Sequence, residues 1–174
     1  MDHIMRLATL NDLPEIERVF VSARAYLGSQ GIDQWQNGYG PNSEMVETDI
    51  KKGEGYVLVV DKQIVGYTAL VPGPDGSPDL SEGSWDPRDA AHDDYMAIHS
   101  VAIDGTVRGK GLGGKFLSDL IAKSRALGYT DIRIDTHPDN QIMQKVIRNA
   151  GFTYVGIMEL DIPSGKRFAY QIVS

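Results

Sequence analysis

The 174-residue sequence contains no cysteine, and this absence excludes every function that depends on a thiol group of the chain. A chain without thiols forms no disulfide bond, offers no thiolate to a metal ion and carries no acyl group on cysteine. The sequence also lacks any apolar run near the ~20 residues of a membrane-spanning helix, and the segment Met1–Arg6 lacks the apolar stretch of a signal peptide. We therefore expect a cytoplasmic protein with no membrane partner.

Basic residues are fewer than acidic residues in this sequence. The chain has 17 Lys and Arg residues against 24 Asp and Glu residues, which gives a formal net charge of -7. Because binding to nucleic-acid phosphates requires a basic face, this balance argues against a nucleic-acid partner. The length and a hydrophobic content of 41% predict one domain, residues 1–174, with a substantial core.

Helical spacing of apolar residues follows a short strand at the start of the chain. The strand covers Ile4–Leu7, and the pair Asp12 and Glu15 then predicts a capping box at the start of the first helix. Ser43 is predicted to cap a second, shorter helix.

A β-hairpin and a long acidic loop occupy the middle of the sequence. The strands cover Tyr56–Asp61 and Ile64–Val71, and Lys62-Gln63 is the predicted turn. The loop over residues 72–94 is either functional or a solvated excursion with no role, since structureless loops of this length are uncommon. Its acids are Asp75, Asp79, Glu82, Asp86, Asp89, Asp93 and Asp94, against the single base Arg88.

The second half of the chain has a strand–helix–strand pattern. A strand over Tyr95–Ile103, a helix with an apolar stripe from Leu112 to Leu127 and a strand over Ile132–Thr136 predict a β-α-β unit with parallel strands. Asn140 is predicted to cap a further helix, and a hairpin around Pro163–Gly165 closes the chain. The sequence therefore predicts an α/β fold with a mixed sheet, mostly antiparallel with one parallel β-α-β pair.

The most informative segment is the glycine-rich turn Arg108-Gly109-Lys110-Gly111-Leu112-Gly113-Gly114-Lys115, which lies between a strand and a helix. Glycines let a ligand approach the backbone closely, and the free N–H groups of a helix start favour a phosphate. The basic residues add countercharge. We expect a phosphate-bearing ligand here; the alternative is a turn that only fits a tight strand-to-helix corner.

Two nucleotide motifs compete for this turn. Gly109-x-Gly111-x-x-Gly114 fits the dinucleotide fingerprint, but that motif belongs at the first turn of a parallel run, and here antiparallel strands precede it. The nucleotide P-loop fails because Phe116 stands where a Ser or Thr must bind Mg²⁺.

A third interpretation rests on a family resemblance. Arg108-x-x-Gly111-x-Gly113, directly after Ile98–Ile103, resembles the acetyl-CoA pyrophosphate loop of the GNAT N-acetyltransferase superfamily. The resemblance continues through Asp135–Asn140 and Asn149–Phe152, and in the order of elements it spans nearly the whole chain. The segments Gly31–Trp35 and His137–Asn140 are similar to small bacterial members whose acceptors are mostly unassigned.

The resemblance implies a GNAT-like acyl-CoA N-acyltransferase fold with a CoA-binding core over residues 95–152. Its parallel strands would splay where Val101 and Asp135 lie, so that the pantetheine arm binds the backbone there and a main-chain amide polarises the thioester carbonyl. Asn140 would bind the arm, act as a plain N-cap, or do both. The implied residues for acetyl-CoA are Val101, Ala102, Ile103, Arg108, Gly109, Lys110, Gly111, Leu112, Gly113, Gly114 and Asn140.

His99 is the candidate general base. An unperturbed imidazole pKa of ~6.5 suits removal of a proton from an ammonium group, and its position resembles that of a histidine in an aralkylamine-acetylating branch. Strand alternation predicts that His99, Val101 and Ile103 share one side. The alternative is a hydrogen-bonded histidine on a sheet face. His137 is a weaker candidate, since a turn residue before a proline needs no chemistry.

The acid that protonates the departing CoA thiolate is harder to assign. Many relatives place a tyrosine seven residues after the asparagine, and this chain has Ile147 there, on an apolar helix face. Tyr154 is our candidate, with Tyr95, Tyr170 or water as alternatives.

For the acceptor, Trp35 and Tyr39 either stack on a cationic or aromatic amine or only pack. The acids of the 72–94 loop would attract a positively charged acceptor such as a polyamine, an aminoglycoside or a Lys-bearing peptide. We expect an acyltransferase that moves acetyl from acetyl-CoA to a primary amine by direct attack in a ternary complex, without a metal. The alternatives are a non-catalytic acyl-CoA binding or sensing domain and a dinucleotide-binding oxidoreductase. A homodimer paired through the last hairpin is a further expectation.

Overall fold

The computed structural model describes residues 3–86, 94–107 and 109–173. Apolar residues with the periods of strands and helices form eight strands and four α-helices among these residues. The strands are β1 (His3–Leu7), β2 (Gly55–Val60), β3 (Gln63–Pro72), β4 (Leu80–Gly83), β5 (Met96–Ile103), β6 (Asp131–Thr136), β7 (Thr153–Glu159) and β8 (Lys166–Val173). The helices are α1 (Leu13–Ser29), α2 (Ser43–Lys51), α3 (Leu112–Ala126) and α4 (Gln141–Asn149). Short 3-10 turns cover Leu10–Asp12 and Gly105–Val107.

The chain divides into two compact units, one comprising Met1–Leu70 with Ser100–Phe116 and the other Val71–His99 with Leu117–Ser174. In the first unit the strand order is β1-β2-β3, and both pairs are antiparallel. In the second unit the order is β5-β6-β8-β7-β4, where β5 and β6 run parallel and the other described pairs antiparallel. The predicted α/β fold, mostly antiparallel with one parallel β-α-β pair, is confirmed. The single domain over residues 1–174 stays a prediction.

The core of the first unit forms around the apolar face of α1. Ile16, Val19, Phe20 and Ala23 recur at helical spacing and are buried. The Phe20 ring lies 5.8 Å from the Trp35 ring and 5.5 Å from the Tyr67 ring. Burial of a side chain of this size contributes roughly 2–3 kcal/mol, so these rings help fix α1 against the sheet strands of its unit.

The start of α1 differs from the sequence prediction. The carboxylate of Asp12 accepts the Thr9 amide at 2.8 Å and pairs with Arg6 at 2.8 Å. Glu15 instead pairs with Arg18. The predicted capping box between Asp12 and Glu15 is therefore wrong. A 3-10 turn precedes α1, and the Asp12 side chain accepts the amide of Thr9, the N-cap residue of that turn.

Two further local predictions are off by one residue. The cap of α2 is Asn42, whose Oδ1 accepts the Met45 amide at 2.9 Å, and Ser43 is the first helical residue. The β2–β3 turn consists of Asp61 and Lys62, with φ of 49° and 70°, rather than Lys62-Gln63. Two consecutive left-handed residues match the twist of a two-residue hairpin.

The parallel pair of the second unit is short. Its register joins Met96 to Ile132 and ends with Ile98 opposite Ile134. Beyond that point β6 continues its antiparallel pairing with β8 as far as Thr136, opposite Phe168. The pairing of β5 with β6 therefore ends just before His99.

The sequence predicts an irregular loop over residues 72–94, but the structure contains a strand within it. This strand is β4, which pairs with β7 and places Gly83 opposite Gly156. A Cβ on Gly83 would overlap the carbonyl oxygen of Val155, so this approach requires glycine. Residues 87–93, with the predicted Arg88, Asp89 and Asp93, lie outside the described residues.

Helix α4 begins as the sequence predicts. The Oδ1 of Asn140 accepts the Met143 amide at 3.1 Å, and Gly151 follows the helix with a φ of 107°. Ile147 is 0% exposed, which confirms its place in the core. Within the described part of the chain, none of the helices has the length and apolar character needed to span a membrane.

Candidate functional site

A polar pocket of about 240 Å³ lies within the second unit. Its walls come from residues 74–79, from Trp85, from residues 95–99 and from residues 133–135 of β6, with Met158 of β7. His99, the predicted base, is one of the lining residues, and its side chain is 31% exposed. The pocket therefore brings a titratable ring to a partly enclosed space.

The His99 ring is hydrogen-bonded to a buried carboxylate. Its Nε2 lies 2.6 Å from Oδ2 of Asp75, whose side chain is 5% exposed. The Tyr95 hydroxyl donates to Oδ1 of the same carboxylate at 2.7 Å and accepts the Asp75 amide at 3.0 Å. Ser77 donates its amide to Oδ1 at 3.2 Å and its hydroxyl to Oδ2 at 2.8 Å. Asp75 is thus held in a network of donors.

These donors decide the protonation of Asp75. Burial by itself raises the pKa of a carboxyl, but the hydrogen bonds from His99, Tyr95 and Ser77 outweigh it and hold the pKa of Asp75 well below its ordinary value. The same contact acts on Tyr95, because burial and the bond to Asp75 raise the pKa of its hydroxyl. Tyr95 is accordingly a poor choice for the acid of the reaction.

A stacked arginine forms one wall of the pocket. The Cζ atom of Arg133 lies 4.0 Å from the ring centroid of Tyr95 and 4.2 Å from that of Trp85. Asp131 pairs with the guanidinium at 2.9 Å, and Gln171 links Asp131 to the Asp86 amide. The charge of Arg133 is therefore balanced by Asp131.

The other candidates of the second unit lie in different surroundings. Tyr154 is 48% exposed and packs edge-on against Phe168 and Tyr170, and it is not among the described residues that line the pocket. His137 is buried: its Nδ1 accepts the Asp139 amide at 3.1 Å and its Nε2 contacts Ser164 Oγ at 2.8 Å. These bonds support the structural role of His137 in its turn.

The glycine-rich turn belongs to the first unit and leads into α3. Gly109 and Gly111 have φ of 83° and 70°, a conformation that favours glycine. Among the described residues, apart from its chain neighbours, a Cβ on either would meet no atom within 4 Å. The first helical hydrogen bond runs from the Lys115 amide to the Gly111 carbonyl. The amides of Leu112, Gly113 and Gly114 therefore have no acceptor within the helix. Arg108 lies outside the described residues, and Lys110 is exposed.

A buried carboxylate holds the chain just before this turn. Asp104 accepts the Thr106 amide at 2.9 Å and the Ser22 hydroxyl at 3.0 Å, and Arg18 pairs with it. Burial raises its pKa, but these donors more than offset burial and lower the pKa of Asp104 to about 2. Through these contacts Asp104 connects the segment just before the glycine-rich turn to Arg18 and Ser22 of α1.

Strand β5 departs from regular strand geometry at one residue. Ser100 has a φ of 60°, in the left-handed region rather than in the extended region of a regular strand. This φ interrupts the regular alternation on which the shared side of His99, Val101 and Ile103 was predicted, and that shared side stays a prediction.

Trp35 and Tyr39 lie in the first unit. The Trp35 ring packs edge-on against Phe20, and a Cβ on Gly40 would clash with Trp35. Tyr39 is exposed. The structure supports a packing role for Trp35, and a role of either residue toward the acceptor stays a prediction.

Comparison with known proteins assigns these features to a family. The model of the Acetyltransferase (GNAT) family matches residues 14–152, most of the chain. The chain belongs to the GNAT acetyltransferase family. A GNAT family acetyltransferase from Streptococcus agalactiae 2603 of known crystal structure is 31% identical, with a TM-score of 0.83 over 99% of this chain and 95% of the other.

Two other similar proteins have lower identity. The Uncharacterized N-acetyltransferase YesJ from Bacillus subtilis (strain 168) is 24% identical over 86% of this chain and 81% of its own length. The ribosomal-protein-S18-alanine N-acetyltransferase from Escherichia coli shares the fold, with a TM-score of 0.69 at 11% identity over 99% of this chain and 94% of the other. The family assignment favours acetyl transfer over the dinucleotide interpretation of the glycine-rich turn.

Asp75 and Arg133 are site residues of this GNAT protein that sequence reasoning missed. The sequence shows Asp75 only as one of the acids of the 72–94 loop. Pro74-Asp75-Gly76-Ser77 is nevertheless a turn sequence whose Asp commonly accepts the amide two residues on, as it does here. Arg133 alternates with buried isoleucines in β6 and gave no signal of its own. Within the described chain, no group of His, Asp and Glu side chains forms a metal site.

Proposed function

We propose that this GNAT protein transfers the acetyl group of acetyl-CoA to the primary amine of a small cationic acceptor by direct attack in a ternary complex. The observation that carries the proposal is the position of His99, which lines a polar pocket and is hydrogen-bonded to a buried carboxylate. The absence of cysteine supports direct transfer, since no thiol is present to carry the acetyl group.

The glycine-rich turn is the proposed site of the CoA diphosphate. The open space that the described residues leave around Gly109, Gly111 and Gly114 fits an anionic group, as do the α3 amides that have no acceptor within the helix. The backbone of Val101–Ile103 and the side chain of Asn140 are the proposed contacts of the pantetheine arm. The end of the β5–β6 register before His99 supports the expected divergence of these strands.

The proposed chemistry needs three actions from the chain. Acetyl-CoA supplies an activated thioester carbonyl. His99 takes a proton from the ammonium group of the acceptor, and the freed lone pair then forms the N–C bond as the C–S bond breaks. The nitrogen loses its second proton to solvent as the amide forms. A backbone amide near Val101 stabilises the charge that grows on the carbonyl oxygen. Tyr154 or water supplies the proton for the departing thiolate.

The pocket chemistry supports a small, positively charged acceptor. Asp75, Asp79 and Asp135 line it, and the charge of Arg133 is already balanced by Asp131. Burial raises the pKa of Asp135, whereas its hydrogen-bond donors lower the pKa of Asp75, so Asp75 is the more readily ionised of these two carboxyl groups. A volume near 240 Å³ suits the end of an amine chain rather than a folded protein surface. Polyamines, arylalkylamines and the side chain of a Lys-bearing peptide meet these conditions.

The test is release of CoA thiol from acetyl-CoA over a panel of such amines. Because the protein has no cysteine, a thiol reagent detects only the released CoA. We expect release that depends on one class of amine, and a rate at least about a hundredfold lower for His99→Ala with loss of its acidic limb.

The same assay separates the alternative functions. Tight binding of CoA in calorimetry, with no thiol release on any amine, would favour the acyl-CoA sensing domain. The buried Ile147, at the position where many relatives have the tyrosine acid, is the observation that favours this alternative. Thermal protection by NAD(P) but not by CoA would favour the dinucleotide alternative. The cytoplasmic location and the homodimer stay predictions.

A further inference from the structure

Asp75 has the surroundings of a residue that acts through its neighbour. Its side chain is almost completely buried, so it has little access to an acceptor in the pocket. Its Oδ2 atom instead lies 2.6 Å from Nε2 of His99. The two residues are 24 positions apart in the sequence, and only the fold brings them together.

We propose that Asp75 is the positioning residue of His99: it fixes the orientation of the ring, keeps the proton on Nε2 and stabilises the imidazolium that forms during acetyl transfer. The inference rests on the proposed function, because it assigns His99 the role of base. Under this proposal Asp75, a residue of the acidic loop, acts on His99 through a directed hydrogen bond. The sequence alone suggests only that the acids of this loop attract a positively charged acceptor.

The hydrogen-bond donors around Asp75 support this role. Tyr95 and Ser77 both donate to the carboxylate, so the carboxylate accepts bonds in its ionised form and has no need of its own proton. The short contact with His99 then requires the proton of that bond to lie on Nε2. The basic lone pair of the neutral ring is on Nδ1, and a proton taken from an ammonium acceptor goes to that atom.

The other charged groups near His99 do not replace Asp75. Asp79, Asp135 on β6 and Tyr95, the residue before β5, also line the pocket. Burial favours the neutral form of Asp135, and Arg133 is paired with Asp131 and stacked on Tyr95. Asp75 is therefore the ionised group in direct contact with the ring.

The test compares the pH dependence of kcat/KM for wild type, Asp75→Asn and Asp161→Asn. Asp161 is exposed in the β7–β8 turn, in the same unit, and its substitution removes the same charge. Loss of the Asp75 charge makes His99 a weaker base, so its acidic limb should move to lower pH by roughly one unit or more. The rate on the plateau should fall about tenfold or more, and Asp161→Asn should match wild type.

A second variant predicts the opposite sign. Ser77→Ala removes a donor from Oδ2, the same oxygen that contacts His99, and leaves more of its negative charge for the ring. The acidic limb should then move to higher pH. This variant also keeps the inference testable if Asp75→Asn does not fold.

An NMR titration of the His99 ring measures the pair without any turnover. We expect its midpoint to move down in Asp75→Asn, up in Ser77→Ala and to stay in place in Asp161→Asn. An unchanged His99 titration in Asp75→Asn, or a changed titration with an unchanged acidic limb in an active enzyme, overturns the positioning role while the acetyltransferase stands. A wild-type protein that acetylates no amine overturns the proposed function instead.

Discussion

Replacing Asp104 with asparagine should remove about 2 kcal/mol of stability at pH 7. The Asp104 side chain is 3% exposed and receives hydrogen bonds from Thr106, Ser22 and Arg18. These donors lower its pKa from 3.8 to about 2, although burial alone would raise it. One pKa unit corresponds to about 1.4 kcal/mol, and the depression therefore contributes about 2 kcal/mol to folding.

The pH dependence of this contribution has a definite sign. A carboxyl whose pKa is lowered by folding stabilises the protein fully above its unfolded value of 3.8, and the contribution disappears as pH falls toward about 2. The difference in free energy of unfolding between wild type and Asp104→Asn should thus be full at pH 7 and fall to about half by pH 3.

Urea unfolding at a series of pH values, followed by circular dichroism, measures this difference. Asp33→Asn is the matched control, because Asp33 is an exposed carboxylate of the same unit. It should differ from wild type by less than about 0.5 kcal/mol at every pH. A wild-type minus Asp104→Asn difference that is the same at pH 3 as at pH 7 would refute the assignment of this stability to the ionised carboxylate.

Four other substitutions test the glycine-rich turn, the acid and the core. Gly111→Ala should cost roughly 1–2 kcal/mol in chemical denaturation because φ is +70°, whereas Gly114→Ala, in a helix with open space, should stabilise by up to about 1 kcal/mol. Tyr154→Phe keeps the ring packing, so a lower kcat with unchanged stability would identify its hydroxyl as the acid, and an unchanged kcat would exclude it. Ile147→Ala should cost roughly 2–5 kcal/mol in urea unfolding, since the side chain is fully buried; a cost below about 1 kcal/mol would contradict its core role.

Local signals in the sequence predicted most of the fold. The cap at Asn140, the apolar stripe of α3 and the β-α-β unit each depend on residues within a turn or two of one another, and the structure contains them. Strand β4 was missed because it is four residues long, mostly polar, and pairs with β7, far along the chain. The positive φ of Ser100 was missed because serine has no special preference for that conformation.

The site was predictable only in part. His99 could be proposed from its position relative to the glycine-rich turn. Its pairing with Asp75 could not, because a loop acid is normally solvated and its burial depends on contacts with distant strands. The stacking of Arg133 between Trp85 and Tyr95 likewise joins three segments that carry no common motif.

The two tryptophans give the protein a built-in optical probe. Trp35 packs on Phe20 in the first unit, and Trp85 lies over Arg133 at the pocket of the second. The chain has no other tryptophan. A Trp35→Phe variant would leave one indole emitter beside the pocket, so acceptor binding can be followed by intrinsic fluorescence without any label.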